Sequence, residues 1–182
     1  MIFLPAAGHA ETPWKNGGGI TREIAAAPLG AKLNDFDWRV SIAEIASDGP
    51  FSSFPEIDRT LTILKGDGIL LDVAGETTRL VPGSAPHAFP GDMPAAATLL
   101  DGPVTDLNVM SRRGKVAHRV TEIRKPQNLA VSEGVLVWIQ GSGRVAGQIM
   151  CPLDALRCET PGYWRIESTD EFLAYYAAFT RL

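Results

Sequence analysis

Histidine and cysteine are scarce in this chain of 182 residues, which holds three of the first and two of the second. The histidines, His9, His87 and His118, lie far apart, with no His-x-His and no His-Glu-x-x-His among them. A barrel metal site draws on several histidines and a carboxylate, so neither a metal nor a cofactor is expected. Cys151 and Cys158 are too few for a disulfide framework and lack the spacing of a zinc pair. No sequence cue places an activating base beside either, and both read as free thiols.

Basic charge is short as well. Seventeen Lys and Arg stand against 21 Asp and Glu, a net charge of −4. A nucleic-acid surface needs a basic stripe and an acidic membrane surface calls for a polybasic segment. Neither is present, so no nucleic acid and no membrane is expected as a partner. No apolar run approaches the roughly 20 residues of a membrane helix. The opening "MIFLPAAGHA" has no basic n-region and is interrupted by Pro5, a poor match to a signal peptide. The expected location is the cytoplasm.

Familiar catalytic signatures are missing too. Ser52 and Ser53, in "DGPFSSFP", lie outside any Gly-x-Ser-x-Gly elbow. "GSGRVA", Gly141 to Ala146, imitates a dinucleotide fingerprint after an apolar strand, but a helix must follow. Gly147 and Pro152 interrupt the segment that does follow, so a hairpin is predicted. The run Gly17-Gly18-Gly19 lacks the Lys-Ser/Thr of a phosphate loop.

What the chain does have is short, β-branched or alternating apolar segments bounded by turn residues: "DWRVSIAEIAS", "RTLTILKG", "GILLDVAG", "KVAHRVTEI", "GVLVWIQG". That is the pattern of an all-β sandwich or barrel. In "DWRVSIAEI", Trp38, Val40 and Ile42 alternate with Arg39, Ser41, Ala43 and Ile45. The C-terminal "STDEFLAYYAAFTRL" spaces Phe172, Tyr175, Tyr176, Phe179 and Leu182 as in a helix, although a fully buried strand reads the same way. A weak echo links "LTILKGDG" (61–68) to "LVWIQGSG" (136–143), as two related barrels would.

Three stretches mix aromatic or Met surface with amide, hydroxyl and charged groups: "PWKNGGGITREI", "DGPFSSFPEIDRTL" and "DLNVMSRR". Apolar walls with a few fixed polar groups are the composition of a small-ligand pocket. Their charges balance, so specific Arg or Lys contacts to a carboxylate are the available recognition. Packing readings stay open: Asp48-Gly49-Pro50 is a turn signal, Asp58 and Arg59 suit cross-strand pairing, and Trp14 suits a barrel end.

On these stretches, with "DWRVSIAEIASDGPFSSFPEIDRTLTILKGDG" and "PVTDLNVMSRR" running in order from Pro13 to Arg113, the chain resembles the HutD/Ves family of bacterial proteins. One departure is Glu56, where the family commonly has Gly. The resemblance implies an all-β, cupin-like fold (an RmlC-type jelly roll) with two β-barrel subdomains, a bicupin in one compact unit. The expected division is residues 1–114, with the ligand pocket, and residues 115–182. It also turns the C-terminal segment from helix to strand. "FSSFPEIDR" falls where metal-binding cupins carry His-x-His, with Ser52 and Phe54 near those positions, and "VPGSAPHAF" keeps one histidine, His87. This implies a metal-free cupin holding a small organic molecule.

The family's name comes from histidine utilisation. Membership implies binding of a small carboxylate of histidine degradation, such as urocanate, formiminoglutamate or N-formylglutamate, and modulation of that pathway. The implied ligand-binding residues are Trp14 as a wall, Lys15 and Asn16 addressing a carboxylate or formyl oxygen, and Gly17 and Gly18 letting the ligand or a strand approach the backbone. Thr21 joins them, because it and Arg22 lie on opposite strand faces. Phe51, Ser52 and Phe54 line the mouth, Arg59 contacts a carboxylate with Asp58 orienting it, and Asn108 and Met110 share one face of a strand. Two alternatives stand beside this binder. One is an enzyme using Asp58 or Asp48 as general base; the other is a stress-response or protein-interaction regulator of the Ves type. A homodimer through edge strands is a further expectation.

Overall fold

The computed structural model describes residues 1–14 and 18–182. Apart from one short 3-10 turn at Ala6–Gly8, its regular structure is β-strand. No helix among the described residues is long and apolar enough to cross a membrane. In chain order the strands are β1 (Ile2–Leu4), β2 (Ala10–Pro13), β3 (Gly19–Ala27), β4 (Trp38–Ile45), β5 (Gly49–Pro50), β6 (Ile57–Lys65), β7 (Ile69–Val73), β8 (Glu76–Leu80), β9 (His87–Pro90), β10 (Ala95–Leu99) and β11 (Val104–Arg112). There follow β12 (Val116–Ile123), β13 (Gln127–Val131), β14 (Gly134–Gln140), β15 (Gly143–Val145), β16 (Gln148–Met150), β17 (Ala155–Cys158), β18 (Gly162–Glu167) and β19 (Leu173–Arg181).

The chain divides into two units, Ala10–Val116 and Met1–His9 with Ala117–Leu182. The first nine residues group with the C-terminal unit rather than with the segment that follows them. Their strand β1 pairs antiparallel with β17, Ile2 opposite Arg157 and Leu4 opposite Ala155. Asp154 fixes the junction: one carboxylate oxygen accepts from the Ala6 N–H and the other from the Cys151 N–H, both at 2.9 Å.

In the second of these units a sheet ordered β1-β17-β14-β19-β12 and a sheet ordered β13-β18-β15-β16 share one apolar core. Trp138 stacks on Phe172 there, ring centroids 4.7 Å apart. The C-terminal segment is strand β19, as the resemblance implies and the helical spacing does not. Leu173 to Ala177 are all buried, so both strand faces are apolar and the spacing of the aromatics mimics a helix. "GSGRVA" runs into the β15–β16 hairpin as predicted, turning at Ala146 and Gly147, both with positive φ.

The Ala10–Val116 unit pairs a six-stranded sheet, β2-β3-β4-β11-β6-β9, with a four-stranded one, β5-β10-β7-β8. At one end the inner faces close on each other through Ile45, Leu61, Ile63 and Val104 of the large sheet and Ile69, Leu71 and Ala97 of the small one. Side chains alternate along a strand, so the residues following inward from this core are set by sequence. On β4 they are Ala43, Ser41 and Arg39; on β11 they are Asp106, Asn108 and Met110. All but Met110 are small or polar where a sealed core needs bulk, and the interior there stays open.

Candidate functional site

The opening is a cavity of about 830 Å³ inside the Ala10–Val116 unit. Its floor is the inner face of the six-stranded sheet, and the register fixes its rows. Thr12 lies opposite Thr21, Thr21 opposite Ala43 and Ala43 opposite Asp106. Glu23 lies opposite Ser41 and Ser41 opposite Asn108; Arg39 lies opposite Met110 and Met110 opposite Arg59. Ala31, Lys32 and Leu33, between β3 and β4, join the lining from the side.

Arg59 is the central feature. Its side chain lines the cavity, yet the residue is only 4% exposed. Its guanidinium carbon sits 5.1, 5.6 and 5.0 Å from the ring centres of Phe51, Phe54 and Phe89, a favourable placement for a cation against aromatic faces. The Ser52 carbonyl accepts from Nη1 at a long 3.5 Å. Nε has no hydrogen-bond partner among the described residues. Burial lowers its pKa to about 10, with Asp106 pulling it back up, so the group is still a cation at neutral pH. Gly91 makes room for it: a Cβ there would lie 2.9 Å from the Ile57 carbonyl oxygen and 3.1 Å from the Arg59 Cδ.

The acidic side of the cavity is Asp106, 2% exposed. Burial pushes its carboxyl up to about 7, and the Arg59 charge only partly offsets this. Oδ1 of Asp106 and Oδ1 of Asn108 are buried without a hydrogen-bond partner among the described residues. The other charged pair in the lining is already engaged: Arg39 Nε donates to Glu23 at 2.7 Å.

Of the residues implied by the resemblance, Trp14, Thr21, Phe51, Ser52, Phe54, Arg59, Asn108 and Met110 line this cavity together. The indole N–H of Trp14 donates to the Thr21 hydroxyl at 2.7 Å. Arg22, on the other face, donates to Glu11 outside. Lys15, Asn16 and Gly17 lie outside the described residues.

Gly18 is buried, its carbonyl accepts from the Ala46 N–H at 2.9 Å, and it is not among the described lining residues. A close backbone approach is found at its neighbour Gly19, where a Cβ would fall 2.3 Å from the Glu44 carbonyl oxygen and 3.1 Å from the Trp14 ring. One implied role is corrected. Asp58 does not orient Arg59. The strand turns successive side chains to opposite faces, and Asp58 accepts from Arg113 at 2.9 Å outside the cavity. Asp48, the other base considered, accepts from the Leu99 N–H at 2.8 Å and does not line the cavity either.

Asp106, Glu23, Arg39 and Ser41 also line the cavity and Phe89 packs on Arg59, none of them among the residues implied by the resemblance. Parity is the sequence signal for Asp106, since it shares a strand face with Asn108 and Met110. Glu56 keeps the turn expected of the family's Gly: its φ is +58°, in the left-handed region, and its carbonyl accepts from the Arg113 N–H at 2.8 Å. Among the described residues no group of three or more His, Cys, Asp or Glu is placed to hold a metal ion.

Comparison with known proteins agrees with this architecture. The HutD family matches residues 6–173. An uncharacterized 21.2 kDa protein of the hutC 3′ region of Pseudomonas putida is 34% identical over 178 residues, 95% of this chain and 90% of that protein. Protein Ves of Citrobacter koseri is 34% identical over 146 residues, 80% of this chain and 75% of its own length. The structure of HutD from Pseudomonas fluorescens SBW25 superposes with a TM-score of 0.88 at 29% identity, covering all of this chain and 98% of that one. For the fold alone, a cupin 2 conserved barrel domain protein from Leptotrichia buccalis aligns with a TM-score of 0.60 at 11% identity, over 89% of each chain. The two-sheet units, the order of the strands and these likenesses agree: the chain is a cupin-like member of the HutD family, related to the Ves proteins.

Proposed function

We propose that this protein binds a small carboxylate metabolite of histidine degradation in the cavity of the Ala10–Val116 unit, and that occupancy modulates histidine utilisation. Urocanate, formiminoglutamate and N-formylglutamate are the candidates. The observation that carries the reading is Arg59, a buried cation in the cavity wall whose Nε lacks an acceptor among the described residues. Leaving such a donor unmade costs about 1–3 kcal/mol, more for a charged group. A carboxylate entering the cavity recovers that cost and forms a charge-assisted bond. The relatives add the pathway: one is the HutD of a pseudomonad and another lies in a hutC 3′ region.

An enzyme using Asp58 or Asp48 as base has less support, because both carboxylates are engaged away from the cavity. The test is a thermal-shift screen against the three intermediates, with glutamate and histidine as controls. A ligand at about 100 times its dissociation constant adds about 2.7 kcal/mol of apparent stability, a shift of several degrees for a chain of this size. The mixture is then assayed for turnover, which separates a binder from an enzyme. No shift with any of the compounds at millimolar concentration overturns the histidine-pathway reading.

A further inference from the structure

Resting on that reading, we infer that the ligand is bound at two ends. Its carboxylate meets Arg59, and an N–H donor on the same molecule meets the Oδ1 atoms of Asp106 and Asn108. The ligand class is therefore a carboxylate bearing an amide, amidine or nitrogen-heterocycle N–H, and a plain dicarboxylate is disfavoured.

The inference stands on the polarity of the buried atoms. Asp106 and Asn108 lie two residues apart on β11, so both project from the same face into the cavity. They are 2% and 9% exposed, and each presents an acceptor oxygen that no described residue satisfies. Above its pKa of about 7 Asp106 is ionised and has only acceptors however its carboxylate rotates. The neighbours do not supply the missing donor: Arg39 is committed to Glu23, and the Trp14 indole N–H is committed to Thr21. Natural interiors leave few buried polar atoms unpaired, and those that stay unpaired call for an explanation.

Arg59 sits on β6, the strand beside β11, and is electrostatically coupled to Asp106 without a direct hydrogen bond to it. The two polar ends therefore face one cavity while remaining separate, each with unused capacity. A dicarboxylate satisfies the Arg59 end only and sets its second anion against the Asp106 oxygen. A carboxylate carrying an N–H satisfies both, and a site built to bond an N–H discriminates strongly against the analogue that lacks it.

The test is calorimetric titration at pH 8.5, where Asp106 is ionised, with two isosteric probes, 3-(pyrrol-2-yl)acrylate and 3-(furan-2-yl)acrylate. They share a carboxylate and differ in one ring position, N–H against O. The pyrrole acid should bind at least about tenfold tighter, a preference of the size a good buried hydrogen bond confers. That ratio should fall towards one in Asp106→Leu, with the furan acid no weaker than before. Asn108→Leu is the second variant, checked for folding by circular dichroism, should the first not fold; it should narrow the ratio in the same way. Equal binding of the two acids, with both lost in Arg59→Gln, overturns this inference and leaves the carboxylate reading standing. A ratio that persists in both leucine variants also overturns it. Binding of neither acid overturns the inference and the carboxylate reading together.

Discussion

The indole N–H of Trp14 donates to the hydroxyl of Thr21 at 2.7 Å, joining the end of β2 to the adjacent strand β3. The bond holds the Trp14 ring against Gly19, whose missing Cβ leaves room for it. One cavity wall thus depends on a hydroxyl, an indole and a glycine from a stretch of eight consecutive positions. Thr21→Val keeps the shape and removes the acceptor. It should cost about 1 kcal/mol and lower ligand affinity, whereas Thr21→Ser should restore both. Thermal unfolding and ligand titration of the two variants check this.

Arg59→Gln removes the buried cation while keeping a polar side chain. A charge-assisted hydrogen bond contributes about 1.5–3 kcal/mol, so affinity for a carboxylate ligand should fall roughly 10- to 100-fold. Arg59→Lys should not restore it. A lysine lacks the planar fork and the guanidinium face that packs among Phe51, Phe54 and Phe89. Calorimetry on the three proteins decides the matter.

Asp106 makes stability depend on pH. Its pKa in the folded protein, about 7, lies above the ordinary 3.8 because burial disfavours the anion. Between those values the native state holds the proton more tightly than the unfolded chain, so this group's contribution falls as pH rises through the window. Asp106→Asn removes the titration. Unfolding free energies from urea titration at pH 5 and pH 7.5 should show a larger loss for the parent than for the variant. The gap should exceed about 1 kcal/mol, since one unit of pKa displacement corresponds to about 1.36 kcal/mol.

Glu56 occupies a left-handed backbone position, φ +58°, that favours glycine. Glu56→Gly should relieve about 1 kcal/mol of backbone strain, less the entropy that glycine adds to the unfolded chain. The net effect is a small rise in melting temperature with no change in ligand affinity, because Glu56 does not line the cavity. A fall in melting temperature would show that the Glu56 side chain contributes more than its backbone costs.

The fold was legible because strand alternation and turn residues are local signals. Arg39, Ser41 and Ala43 opposite Trp38, Val40 and Ile42 could be read directly from "DWRVSIAEI". The same parity puts Asp106 on one face of β11 with Asn108 and Met110, but a charge in a charge-balanced stretch carries no local sign that it is buried. Adjacency in sequence does not make Asp58 a partner of Arg59, because neighbours on a strand face opposite ways and Asp58 meets Arg113 instead. The packing of Phe89 against Arg59 joins β9 to β6, a long-range pairing with no local signature. The C-terminal strand deceived the helical periodicity because both its faces are buried. The attachment of β1 to β17 was equally invisible, resting on a pairing across most of the chain.

The most direct test of the central claim is calorimetric titration of urocanate, formiminoglutamate and N-formylglutamate into the parent protein and Arg59→Gln. The account predicts that at least one compound binds the parent with 1:1 stoichiometry and loses at least about tenfold in affinity in the variant, a difference of about 1.4 kcal/mol. Binding of equal strength to both proteins, or no binding to the parent, would contradict it.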